Sequence, residues 1–92
     1  MIEIRYDGQD TVKVTGHAEA GPKGKDLVCA GVTALVLALR ENADTAELEE
    51  GSAFLCGGDP RVFRGICRGL GVLAEAFPEC IHIDTQAGNS VG

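Results

Sequence analysis

From Leu27 to Leu39 the chain is apolar on nearly every side of a helix: Leu27, Val28, Ala30, Val32, Ala34, Leu35, Val36, Leu37 and Leu39. A helix with so little polar surface must be covered on more than one side. One side suits a sheet; the other calls for a second helix or another subunit. The run is too short to cross a bilayer, which takes roughly 20 residues, so no membrane contact is expected. The helix start is legible as well. Asp26 supplies an N-cap acceptor, which makes Cys29 the third helical residue and Val28 or Cys29 N–H the capped group. No Glu or Gln completes a capping box at that third position; a cysteine stands there instead. The helix is expected to reach Ala43.

The remaining segments alternate between two periods. Met1 to Tyr6 places Ile2, Ile4 and Tyr6 on one face and Glu3 and Arg5 on the other, a half-buried strand. Asp7-Gly8 is a hairpin signal, and Thr11 to Gly16 returns with Val12 and Val14 inward. Ala46 to Gly57 reads as a second hairpin turning at Gly51-Ser52, with the run Glu47, Glu49 and Glu50 as a solvated edge and Cys56 in the core. Asp59 before Pro60 is an N-cap followed by Pro at the first helical position. The second helix, Pro60 to Phe77, carries Val62, Phe63, Ile66, Leu70, Leu73 and Phe77 on one face. Gly65 and Gly69 form a small-residue strip for close helix approach, and Cys67 is a packing residue. Cys80 to Asp84 is the last strand, with His82 opposite Ile81 and Ile83, and 85–92 is a polar, frayed tail. The order ββαββαβ predicts a single α+β domain, a mainly antiparallel sheet carrying two helices. Ninety-two residues leave no room for a second domain.

The chemistry concentrates between the second strand and the first helix. Gly16 ends the strand, His17 follows, and 18–25 is a glycine-, proline- and lysine-rich loop expected to be mobile. Its Gly21, Pro22, Lys23, Gly24 and Lys25 are the candidate substrate-covering residues. Cys29 lies just beyond, near the positive end of the helix dipole and its free N–H groups, which favour a thiolate. His17 docked on Cys29 would take its proton and return it to a leaving group. The Cys29 backbone N–H is a candidate oxyanion donor. Thr33 shares the face of Cys29 one turn on. Asp26 would orient His17 or cap the helix, and the cap is the favoured role. On spacing alone the plainer readings stay open: core filling for Cys29, a turn residue for His17.

Composition excludes several other classes. A net charge of −6 argues against direct nucleic-acid binding; an acidic surface suits a basic partner or simple solubility. Cys29, Cys56, Cys67 and Cys80 contain no Cys-x-x-Cys pair, so no metal site is expected. No cofactor is called for. Met1 leads straight into a strand without an export signal, which predicts a cytoplasmic protein with reduced thiols.

The pattern Gly16-His17-Ala18, then Gly24-x-Asp26-x-Val28-Cys29-Ala30, resembles the ribosomal-processing cysteine protease family, Prp. The resemblance runs on through the apolar helix and the glycine-containing hairpin to Phe77-Pro78 and the last strand. It implies a cytoplasmic, homodimeric endopeptidase that removes the N-terminal extension of a large-subunit ribosomal protein during ribosome assembly, cutting after a segment with aromatic residues. The family's catalytic histidine falls on His17, its nucleophile on Cys29, its motif aspartate on Asp26, and its substrate loop on 18–25. Thr33 stands where many relatives carry Ser, keeping the hydroxyl, and Gly31 where many carry Ala. The alternative is a non-catalytic ribosome-assembly or protein-binding module in which Cys29 is a redox-sensitive thiol.

Overall fold

The structure, a computed structural model, describes residues 1–16 and 25–85, with side chains from Leu27 onward in the second stretch. Strands β1 (Ile2–Tyr6) and β2 (Thr11–Thr15) pair antiparallel, Ile4 opposite Val14. Their turn is built by Asp7, whose Oδ1 accepts the backbone N–H groups of Gln9, Asp10 and Thr11 at 2.8, 3.1 and 3.1 Å. An Asp carboxylate that takes several local amides stands in for a backbone turn. Helix α1 (Lys25–Arg40) follows, then the hairpin β3 (Ala43–Glu49) and β4 (Ser52–Gly58), helix α2 (Pro60–Ala76) and β5 (Ile81–Thr85). The sheet order is β3-β4-β2-β1-β5, antiparallel throughout except for the β1–β5 pair. The expected α+β architecture and the order ββαββαβ are present.

Strand alternation decides which face carries the helices. Ile2, Ile4, Tyr6, Val12, Val14, Ala53, Leu55 and Ile81 point to one side and are buried. They meet Val28, Val32, Val36 and Leu39 of α1 and Phe63, Cys67 and Leu70 of α2. Glu3, Arg5 and Lys13, at the intervening positions, lie on the open face. Phe63 is fully buried, and truncating such a residue to Ala costs about 3–5 kcal/mol. Cys67 is held in the same apolar layer; burial, with the charge of Asp7 adding, pushes its thiol up to about 12.

Several boundaries differ from the sequence expectation. Lys25 begins α1 instead of closing the loop, so Asp26 is the second helical residue and Cys29 the fifth. The helix stops at Arg40, where Asn42 N–H donates to the Leu39 carbonyl at 2.9 Å and Asn42 Nδ2 to the Ala38 carbonyl at 3.2 Å. An Asn that satisfies terminal carbonyls ends a helix early, and Ala43 therefore opens β3. Thr85 completes β5 rather than starting the tail, because it pairs with Tyr6; 86–92 lies outside the described residues. Cys56 is not in the core: it pairs with Thr11 and Thr45, one position out of phase with buried Leu55. Of the two glycines in the supposed strip, only Gly69 meets the other helix, where an added Cβ would lie 3.3 Å from Leu35 Cδ1. Gly65 faces open space.

The start of α2 matches expectation. The Asp59 carboxylate accepts the Arg61 backbone N–H at 2.9 Å, with Pro60 at the first helical position. The Arg61 side-chain hydrogen bond, then its backbone one, hold the Asp59 carboxyl below its usual range. His82 lies on the open face, its Nδ1 3.1 Å from Glu3 Oε2.

Candidate active site

The apolar stripe of α1 that faces the sheet carries Cys29 at its edge. Val28 and Val32 are buried, and Cys29 between them in sequence is half-buried. It opens on a cleft of about 310 Å3. One wall is α1, through Cys29, Val32, Thr33 and Val36. The sheet supplies Ile2, Val14 and Ala53, and the β3–β4 hairpin supplies Leu48, Glu49, Gly51 and Ser52. Glu49 is the one charged side chain among the described lining residues. Such a cleft, mainly apolar with a few convergent polar groups, is the usual form of a binding site.

Thr33 lines the cleft one turn after Cys29, as its spacing requires. Its hydroxyl has no hydrogen-bond partner among the described residues, so it remains available to a bound molecule. Gly16 lines the same cleft and is the last described residue before His17. It sits at φ +93°, and a Cβ there would overlap the Met1 carbonyl oxygen. Glycine alone tolerates both constraints. His17 itself, Gly21, Pro22, Lys23 and Gly24 lie outside the described residues, as do the side chains of Lys25 and Asp26.

The helix start changes two expectations. With Lys25 as the first helical residue, Asp26 stands inside the first turn and does not precede it. A carboxylate there still complements the helix dipole, but it no longer precedes the helix. As the fifth helical residue, Cys29 has its N–H within the i→i−4 ladder, since only the first four N–H groups are free. That amide is not a free oxyanion donor. The three other thiols are also free of disulfides: Cys67 and Cys80 are buried, and Cys56 is half-buried on the open sheet face. Among the described residues no three His, Cys, Asp or Glu side chains gather as a metal site, and none is a helix long and apolar enough to cross a membrane.

Sequence reasoning missed the hairpin wall. Gly51, Ser52 and Glu49 look like an exposed turn and edge in isolation. They reach the cleft because β2 pairs with β4, Thr15 opposite Ser52, and that pairing spans more than thirty positions of chain.

A thiol alone of its kind on an apolar cleft, set on the first helix of a two-helix α+β sheet, is the arrangement of a small cysteine peptidase. The sequence profile of cysteine protease Prp matches residues 1–58, well over half of the chain, and the chain belongs to that family. Solved structures share the fold. SMU.848 from Streptococcus mutans superposes with a TM-score of 0.70 at 24% identity, covering 92% of this chain and 93% of its own. The essential ribosomal processing protease Prp from S. aureus, solved with a substrate peptide, gives 0.68 at 20% identity, covering 91% and 96%. The same protease with a covalently linked product peptide gives equal values. Among curated proteins, no sequence matches the chain.

Proposed function

We propose that this cysteine peptidase removes the N-terminal extension of a large-subunit ribosomal protein in the cytoplasm, with Cys29 as nucleophile and His17 as its base and then acid. The observation that carries the reading is the cleft: Cys29 opens on it, and Gly16, one peptide bond from His17, forms part of the same wall. The solved relative from S. aureus is a ribosomal processing protease and holds a substrate peptide.

In this reading the imidazole takes the Cys29 proton and the thiolate attacks the scissile carbonyl carbon. The tetrahedral oxyanion collapses to a thioester, and the imidazolium gives its proton to the departing amine. Water, deprotonated by the same imidazole, then hydrolyses the thioester and frees the thiol. The apolar walls formed by Val32, Val36 and Leu48 suit apolar side chains of the substrate, and 18–25 serves as the segment that covers it. Cleavage of a peptide spanning the extension, followed by mass spectrometry, tests the proposal. A single cut is expected with wild type and none with Cys29→Ser or His17→Ala. Cleavage retained in His17→Ala would remove the dyad, and no cut by wild type would remove the substrate.

The active form is a homodimer in this reading. The outer stripe of α1 leaves Leu27 70% and Leu37 39% exposed beside Ala30 and Ala34. Leu27, Ala30 and Ala34 recur at helical spacing on the side away from the sheet, with Leu37 bordering the Cys29 cleft, and a second copy would cover that stripe beside the site.

A further inference from the structure

The floor of the Cys29 cleft is a row of side chains that crosses the sheet. Val14 pairs with Ala53 and Ala53 with Leu48, and all three line the cleft. The row stops at Leu48 because β3 is the outermost strand on that side of the sheet. Leu48 is 38% exposed there, at the end of a cleft walled by α1 through Val32, Val36 and Leu37.

Among the described residues β3 pairs with β4 alone, and its seven residues include no proline, lysine or arginine. In an antiparallel ladder alternate residues turn their N–H and C=O toward the partner, and those between turn them outward. The two-residue turn Glu50-Gly51 makes Glu49 and Ser52 the bonded closing pair. By alternation Ala46 and Leu48 present their main-chain groups outward. No further main-chain hydrogen bond in the described structure engages either residue. An edge of this kind accepts an added strand.

The charge on β3 selects which strand. Glu47 and Glu49 alternate with Leu48, opposite Phe54 and Ser52 on the other face of the hairpin. Neither forms an ion pair among the described residues. A second copy of β3 would set carboxylates against carboxylates, and like charges at facing positions destabilise a strand pair. An extended segment carrying Lys or Arg meets the opposite condition. Its other side chains, alternating with the basic ones, would fall beside Leu48 as the next place in the apolar row.

We propose that the outer edge of β3 takes the substrate as a sixth strand, in which apolar residues beside Leu48 alternate with basic residues beside Glu47 and Glu49. The proposal rests on the peptidase reading and adds the class of sequence that the enzyme holds. The edge and Cys29 border the same cleft, so one peptide can occupy both.

The test is amide hydrogen exchange of the full-length Cys29→Ser protein, followed by NMR, with a synthetic peptide spanning the ribosomal extension. Slowed exchange at Ala46 and Leu48 is expected, with β5, the opposite edge, unchanged. N-methylation of the peptide at one position at a time should weaken binding up to tenfold at every second position and little between. Replacing its Lys and Arg by Glu should weaken binding about tenfold, and Glu47→Lys in the protein severalfold. Binding without protection at Ala46 and Leu48, N-methyl effects without a period of two, or equal binding of the charge-reversed peptide overturns the proposal. Protection of the same amides in the free protein as its concentration rises assigns the edge to a second copy and overturns it too. Cleavage by wild type is scored separately. A cut without β3 protection removes the edge and keeps the peptidase reading, whereas β3 protection without a cut keeps the edge and removes the substrate as a cleaved one.

Discussion

The backbone N–H of Gly16 donates to the Gly51 carbonyl oxygen across 2.9 Å, tying the end of β2 to the β3–β4 turn. Both glycines line the cleft on which Cys29 opens. One main-chain hydrogen bond therefore joins the strand that leads to His17 with the hairpin that walls the site. Gly16 itself sits at φ +93°, where an added Cβ would overlap the Met1 carbonyl oxygen.

Gly16→Ala should destabilise the fold by about 1–3 kcal/mol, from left-handed strain and displacement of Met1. A urea denaturation series would show the midpoint falling at unchanged slope. Peptide cleavage should drop further than the folded fraction does, because the base is re-aimed as well.

Asp26 separates two mechanisms. As a first-turn carboxylate it supports the helix dipole, an effect of about 0.3–1 kcal/mol. Asp26→Asn should then keep kcat/KM within severalfold of wild type. An aspartate that oriented His17 would on removal cost about 10^4 in kcat, and a loss of that size would assign it the second role.

Gly65 and Gly69 should part company on substitution. Gly65 lies in the interior of α2 with nothing near an added Cβ, so Gly65→Ala should stabilise by about 0.5–1 kcal/mol. Gly69→Ala places its methyl 3.3 Å from Leu35 Cδ1, so its gain should be smaller or reversed. Thermal melts of the two variants, side by side, make the comparison.

Alkaline pH should unfold the protein through Cys67. Its folded thiol is raised to about 12 from an ordinary value of 9.0, so between those values the unfolded chain has lost a proton that the folded chain keeps. Stability is therefore full below about pH 9 and falls as pH rises toward 12. Burial raises Tyr6 as well, in the same direction. Denaturant midpoints against pH should show a flatter decline in Cys67→Ala than in wild type, from a lower starting stability.

Leu27→Glu should leave the fold intact, since the side chain is mostly exposed, and shift a dimer to monomer by light scattering. A wild-type protein already monomeric at assay concentration would remove the dimer proposal.

Much of the fold was legible because local patterns agreed with one another. The period-two runs at Met1–Tyr6 and Cys80–Asp84, the Asp7-Gly8 turn and the Asp59-Pro60 helix start all rest on neighbours within a few positions. Errors fell where local signals compete. Asp26 reads as a cap by its carboxylate, yet α1 already includes Lys25, and Asn42 drew the end of α1 forward by satisfying the Ala38 and Leu39 carbonyls. Cys56 read as core by its apolar character, yet pairing with Thr11 put it on the open face.

The sequence alone determined the element order, the two-helix α+β class and, through Gly16-His17 and Asp26-x-Val28-Cys29, the family and its candidate pair. Each of those depends on spacing along the chain. Only tertiary structure decided that the Glu49–Ser52 turn walls the Cys29 cleft, and that Val14, Ala53 and Leu48 meet in one row along its floor. Both meetings arise from β2–β4 pairing and from helix packing on the sheet. Such contacts join residues tens of positions apart, and no local periodicity encodes which distant partner a strand or helix face will take.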